Sequence, residues 1–241
     1  MKFNQPYNKT IMKTLVYIII ILGIIFGIKK LYLDIHDCES FSVKSNLLYH
    51  SIFFKKGKVD FSVTQQKEGF NFFVNSNFFT ENANAVGGLI IDGQTVSNQI
   101  PIGGSFVVKN GTPNIKFGRA KKCEYLSQSV VWAIKKGEIN MTIAQEPRQE
   151  EKTHRLLIGT TQNGEVVVVH SNPMVLVTIT QIIKFADSIG VTDAIILDSG
   201  SSVDLRLSTN DYTHTMKTIP SIVKSWIGID EPVAYIAGSF N

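Results

Sequence analysis

Between Thr14 and Ile28 the chain reads TLVYIIIILGIIFGI, fifteen residues without a charge. Ile11 and Met12 extend the apolar stretch to eighteen residues across Lys13. A bilayer-spanning helix needs roughly 17–25 residues, so the run suffices if Lys13 lifts its ammonium to the interface along its apolar stem. A cleaved signal peptide would end in small residues of the A-x-A type, whereas this run ends GIKKLYLDIHD. The expectation is an uncleaved signal anchor, a transmembrane helix within residues 1–33. Lys2, Lys9 and Lys13 precede the span, Lys29 and Lys30 follow it, and Asp34, Asp37 and Glu39 come next. That bias points to an internal N-terminus. The rest of the chain is then expected to be membrane-anchored and extracytoplasmic, either periplasmic or extracellular.

The chain has 241 residues, enough for one domain of about 200 residues behind the anchor. Hydrophobic residues make up 44% and charged residues 18%, so a packed core is expected rather than general disorder. Five of the 24 Lys and Arg lie in the first thirty residues, leaving 19 against 20 Asp and Glu. The folded part is nearly neutral and gives no footprint for nucleic acid. Cys38 and Cys123 form no C-x-x-C pair, which excludes a zinc ribbon or a thioredoxin-type motif. A disulfide between them and two separate thiols are both consistent with the sequence.

Residues 34–49 read as a linker, and residues 50–241 as the domain. Its first half is rich in strand signals. Ser51–Phe54 and Val59–Val63 flank KKGK, and together they suggest a hairpin. Phe70–Val74 is aromatic and β-branched, and it runs into the loop Asn75-Ser76-Asn77. Gly88–Ile91 leads to the turn Asp92-Gly93, and Ser105–Lys109 and Asn114–Phe117 flank NGTP. In the second half Arg155–Thr160 and Glu165–His170 flank Asn163-Gly164, the strongest short-range hairpin signal. Thr178 with Gln181 forms a capping box, and Ile179, Ile182, Ile183, Ala186 and Ile189 line one helical face. Gly190 closes that helix. Val191–Leu197 is an apolar run ending at Asp198, a buried-strand pattern. Further strands are expected over Val203–Leu207, Ile222–Ile227 and Val233–Ala237. The expected fold class is α+β, a mixed, strand-rich sheet with few helices.

Three polar clusters stand at strand ends, where a rigid scaffold can hold catalytic groups. They are Asn75 to Asn77, His154-Arg155, and Asp198-Ser199-Gly200-Ser201-Ser202. In the third, a carboxylate leaves a buried strand and enters a turn of small residues. There backbone N–H groups and the hydroxyls of Ser201 and Ser202 can approach an anion, and Gly200 keeps the approach open. Arg155 offers a bidentate fork for phosphate. Asn75 and Asn77 suit sugar hydroxyls, and His154 suits acid–base work. Glu146 and Arg148 lie in the charged loop AQEPRQEE. The competing reading makes the clusters plain turn chemistry.

In order and spacing these segments resemble the phosphodiester glycosidase family, which includes N-acetylglucosamine phosphodiester glycosidases and exopolysaccharide-associated bacterial relatives. The carriers of the resemblance are Asn75-Ser76-Asn77-Phe78-Phe79, Gly87 to Gly93, Ala144 to Arg148, Arg155 with Ile158-Gly159, and Ala194 to Ser202. It covers roughly Phe70 to Ile229. Ser76, Asn77 and Ser199 stand where the family pattern has glycine. The resemblance implies hydrolysis at the anomeric carbon of a sugar joined to phosphate, with a phosphate monoester leaving. It gives Arg155 the phosphate charge, Asp198 the acid/base role or a clamp on a sugar hydroxyl, and Asn75 and Ser202 the orientation of substrate. A two-carboxylate mechanism requires a partner for Asp198, for which Glu146 is the candidate. No cofactor is called for; no His/Asp/Glu spacing demands a metal, and a divalent cation is left open. The expected partners are a carbohydrate or sugar-phosphate substrate and the membrane, with no nucleic acid. The alternatives are a non-catalytic glycan-binding module of the same fold and a structural envelope protein.

Overall fold

The computed structural model describes residues 34–76, 78–80, 84–140, 142, 151–217 and 234–241. The expected anchor, the expected strand over 222–227, and Asn77, Glu146 and Arg148 lie outside these residues. No helix among the described residues is long and apolar enough to cross a membrane.

Antiparallel pairing builds three sheets. The largest contains β1 (Asp34–Asp37), β2 (Phe41–Ser45), β3 (Tyr49–Phe54), β11 (Trp132–Lys135), β12 (Glu138–Ile139), β13 (Leu156–Thr161), β14 (Val166–Ser171) and β15 (Val191–Ile196), in the order β1-β2-β3-β14-β13-β15-β11-β12. A second sheet holds β6 (Leu89–Ile91), β7 (Gln94–Ser97), β8 (Gly104–Lys109), β9 (Thr112–Phe117) and β10 (Tyr125–Ser129), in the order β7-β6-β10-β8-β9. The third holds β4 (Val59–Thr64), β5 (Phe72–Asn75), β16 (Asp204–Ser208), β17 (Thr213–Lys217) and β18 (Tyr235–Phe240), in the order β17-β16-β5-β18-β4.

The large sheet is covered on both faces, which explains why its central strands are almost continuously apolar. Side chains alternate across a strand. Leu156, Ile158, Val166 and Val168 therefore point into the core shared with Phe72, Val74, Phe106 and Leu205 of the other sheets. Leu157, Val167 and Val169 point the opposite way, onto the helix α1 (Ile179–Ser188), where they meet Ile179, Ile182, Ile183 and Ala186. Thr178 Oγ1 accepts the N–H of Gln181, and Gln181 Oε1 accepts the N–H of Thr178. Gly190, at φ 87°, takes the chain out of the helix. Ten residues are too few for a stable isolated helix. Each buried aliphatic side chain on this stripe contributes about 1.5–3 kcal/mol relative to exposure, so the sheet holds the helix in place.

The hairpins read from Asp92-Gly93, Asn110-Gly111 and Asn163-Gly164 form as β6–β7, β8–β9 and β13–β14. The hairpin expected across KKGK does not form. β3 pairs with β2 and β14, whereas β4 pairs with β18, so the Lys55–Lys58 turn carries the chain from one sheet to another. Residues 34–45, read as part of a linker, form β1 and β2 instead, because the alternation at Phe41 and Val43 buries both side chains against the core. Cys38 and Cys123 are separate thiols. Cys38 Sγ lies 3.1 Å from His36 Nε2, and Cys123 packs beside Val107 and Leu126.

Three histidines from β3, β14 and β17 meet between two sheets. His50, His170 and His214 have ring centroids 5.0 Å apart in each pairing. His170 Nδ1 donates to the Ser171 carbonyl at 2.9 Å, so its Nε2 is the acceptor for His214 Nε2–H at 2.8 Å. Burial, then the neighbouring histidine charges, holds His170 well below the usual range. Burial and His50 push His214 down to about 4, and burial lowers His50.

Candidate active site

The described parts of the three polar clusters meet where β5 and β15 end and β13 begins. Asn75, the last residue of β5, is wholly buried. Its Nδ2 donates to the Asp198 carbonyl at 2.8 Å, and its Oδ1 accepts the Asp204 N–H at 2.9 Å. The next residue, Ser76, accepts the Asp198 N–H on its carbonyl at 3.2 Å. On the other side, Leu197 N–H reaches the Leu156 carbonyl at 3.0 Å and Gly200 N–H reaches the His154 carbonyl at 2.8 Å. Ser199 Oγ donates to Leu197 O and accepts the N–H of Leu156. Segments separated by more than a hundred residues are thus stitched together by backbone groups that burial would otherwise leave costly and unmet.

The side chains differ in what they offer. Asp198 is partly exposed, and its Oδ1 accepts the N–H of Ser199 at 2.9 Å. Arg155 is partly buried. Its Nη2 donates to the Glu151 carbonyl at 2.8 Å, and its backbone is fixed by Ser171. His154 is partly buried, and its Nδ1 lacks a hydrogen-bond partner among the described residues. Burial lowers its pKa, so the ring is neutral near pH 7. Gly200, Ser201 and Ser202 form a 3-10 turn, all partly exposed. Gly200 sits at φ 71°, with Thr153 Oγ1 3.3 Å from where a Cβ would stand. That left-handed backbone suits glycine.

Asn75, expected to orient substrate, instead acts as a strut, since both ends of its amide hold backbone groups. Ser199 adopts an extended backbone, φ −127°, ψ −175°, which any residue can take, so glycine is not required there. Ser76 is buried, and its hydroxyl donates to the Ala234 carbonyl at 3.0 Å. Two of the three serine and asparagine replacements are therefore built into the scaffold.

One group of residues escaped the sequence reading. Asp204 lies across the sheet from Asn75 and Tyr235 lies on the strand beyond. Asp204, almost fully buried, binds Lys67 Nζ at 2.7 Å. Lys67 Nζ also lies 4.8 Å from the centre of the Tyr235 ring. Burial opposes the Lys67 charge, but hydrogen bonds to Asp204 and Tyr235 and the Asp204 charge outweigh it and raise its pKa. Nothing near Lys67 in the sequence marks it; Asp204 could have been suspected as a carboxylate starting an apolar strand. No group of three or more His, Cys, Asp or Glu among the described residues could hold a metal ion. A separate cavity lined by Lys56, Gly111, Pro113 and Gly164 lies at the opposite end of the β13–β14 hairpin.

A family model described as phosphodiester glycosidase matches residues 68–224, well over half of the chain, and spans all three clusters. The chain belongs to the phosphodiester glycosidase family. That makes it a member of a group of glycosidase-type hydrolases acting on sugar phosphodiesters. Among solved structures, the phosphodiester glycosidase fold is matched by the catalytic domain of zebrafish N-acetylglucosamine-1-phosphodiester alpha-N-acetylglucosaminidase, auto-inhibited by its pro-peptide. The TM-score is 0.60 at 16% identity, covering 87% of this chain and 82% of that one. A hypothetical protein from Synechocystis matches with TM-score 0.59 at 10% identity, over 87% of this chain and 61% of that one. No curated protein matches in sequence.

Proposed function

We propose that this chain hydrolyses the glycosidic bond of a sugar phosphodiester at the outer face of a membrane, tethered by its apolar segment at 14–28. The observation that carries the reading is the convergence of Asp198, His154 and Arg155 at one junction of strand ends, inside the region matched by the family. Water attacks the anomeric carbon and the bond from that carbon to the bridging oxygen breaks. Its electron pair leaves on a phosphate monoester. The proton released by the water passes to Asp198, the partly exposed carboxylate of the junction. Arg155 meets the phosphate charge, which a guanidinium fork matches in geometry. Neutral His154 presents a ring nitrogen to a sugar hydroxyl or to the water. Gly200, Ser201 and Ser202 line the approach. Asn77, Glu146 and Arg148 are proposed as further substrate contacts, with Glu146 as partner carboxylate.

The test is turnover of a sugar-1-phosphodiester by the full chain in detergent. Asp198→Asn is expected to lower kcat about 10²–10⁴-fold, the usual worth of a positioned acid–base group. Arg155→Ala is expected to act mainly through KM. Saturable binding of the substrate without any turnover would replace the hydrolase with a binding module.

A further inference from the structure

Six large hydrophobic side chains stand well exposed among the described residues, and four of them lie in two touching turns. Leu47 and Leu48, 57% and 43% exposed, occupy the β2–β3 turn; Met174 and Leu176, 91% and 51% exposed, occupy the segment after β14. Asn172 N–H donates to the Leu48 carbonyl at 2.7 Å and joins the turns. The other two, Val96 and Ile102, lie elsewhere, in β7 and the segment following it. Isolated exposed apolar residues are ordinary, but a cluster of this kind marks a surface that something covers.

The register of the sheet places this surface close to the N-terminal segment. Asp34 opens β1 opposite Ser45, at the very end of β2 that leads into Leu47 and Leu48. Only residues 29–33 separate Asp34 from Ile28, the last residue of the apolar run. Extended chain covers at most about 3.3–3.6 Å per residue, so this end of the sheet lies within about 20 Å of the segment's end. Lys29 and Lys30, directly after the run, suit the headgroup layer.

We infer that the Leu47-Leu48 and Met174–Leu176 turns rest on the lipid bilayer into which the N-terminal segment inserts, with their side chains in the interfacial layer. This rests on the tethered reading above. The same turns adjoin the candidate site: Val177 pairs with Thr153, and Ser171 N–H bonds the Arg155 carbonyl. Contact here sets the site beside the lipid headgroups. An amphipathic contact of this type needs only a few apolar side chains, because the tether already supplies the proximity.

The experiment places the full chain in vesicles of phosphatidylcholine and phosphatidylglycerol, with or without bromine on the acyl chains. It compares Met174→Trp, Leu48→Trp and Val96→Trp against the parent, which carries the native tryptophan background. Brominated chains are expected to quench the added fluorescence at 174 and 48 severalfold more than at 96. Failure of the full chain to float with the vesicles would remove the tether and the inference with it. Co-flotation with equal quenching at all three positions would keep the tether and overturn the docking. Blue-shifted emission at 174 that brominated lipid leaves untouched would mean that protein covers the turns, either a second copy or residues 1–33, and would also overturn it.

Discussion

Acidification should loosen the joint between the large sheet and β17. In the native fold His214 titrates at about 4, whereas in an unfolded chain it titrates near 6.5. The folded pKa is the lower one, so the unfolded state takes up the proton first. Stability is complete above about pH 6.5, falls as pH falls through the window down to about 4, and is flat below it. Each pH unit inside the window costs about 1.4 kcal/mol. At about pH 5 the chain should therefore be roughly 2 kcal/mol less stable than at about pH 8 from His214 alone. His170, His50 and His154 are lowered too and add in the same direction. For a domain of this size, 2 kcal/mol corresponds to a Tm about 4–8 °C lower. The assay is thermal unfolding of the full chain in detergent across this range, for the parent and for His214→Gln. The glutamine keeps a donor for His170 Nε2 but cannot titrate, so its profile should be shallower than the parent's by about 1.4 kcal/mol per pH unit in the window. Parallel profiles would refute the reasoning, because they would mean that His214 is protonated equally in both states.

Asn75→Ala strands the Asp204 N–H and the Asp198 carbonyl in a buried place and should cost about 2–4 kcal/mol in urea unfolding, with activity falling as the Asp198 turn shifts. Thr178→Ala removes the capping box of α1 and should cost about 1 kcal/mol, read as a lower urea midpoint with unchanged slope. Gly159→Ala would put a Cβ 2.6 Å from the Asp193 carbonyl oxygen, where β13 and β15 approach closely. A loss of about 1–3 kcal/mol is expected, seen as a lower Tm.

Local signals in the sequence found local structure. Asp92-Gly93 and Asn110-Gly111 carry positive φ at both residues and Asn163-Gly164 at Gly164, a conformation few residues tolerate, so these dipeptides mark hairpins without knowledge of the rest of the fold. The Thr178–Gln181 box is likewise complete within four residues. The Lys55–Lys58 turn was misread because a tight reversal looks the same whether its strands pair or part. β1 and β2 were missed because Phe41 and Val43 alone are too short a pattern to stand out from a linker. For the site, the motif order gathered Asn75, His154, Arg155 and Asp198, and the structure joins their segments. It could not tell a strut from a contact: both ends of the Asn75 amide are held by backbone groups, of the Asp198 turn and of β16. Lys67 with Asp204, and His50 with His170 and His214, depend on contacts across more than a hundred residues, for which a single sequence holds no periodic trace.

The borders of the eight-stranded sheet bear on how the protein behaves when concentrated. At one border β12 offers only Glu138 and Ile139, too little backbone to recruit an incoming strand. At the other, β1 is only four residues long, and its Asp37 is ion-paired with Lys55 at 3.0 Å; a short edge strand that carries charge discourages an incoming strand. Among the described residues, both rims are too short to be a good template for lengthening the sheet from molecule to molecule. On the tethered reading proposed above, a chain held on a surface meets its copies far more often than one in free solution, and short, charged rims let it do so without polymerising.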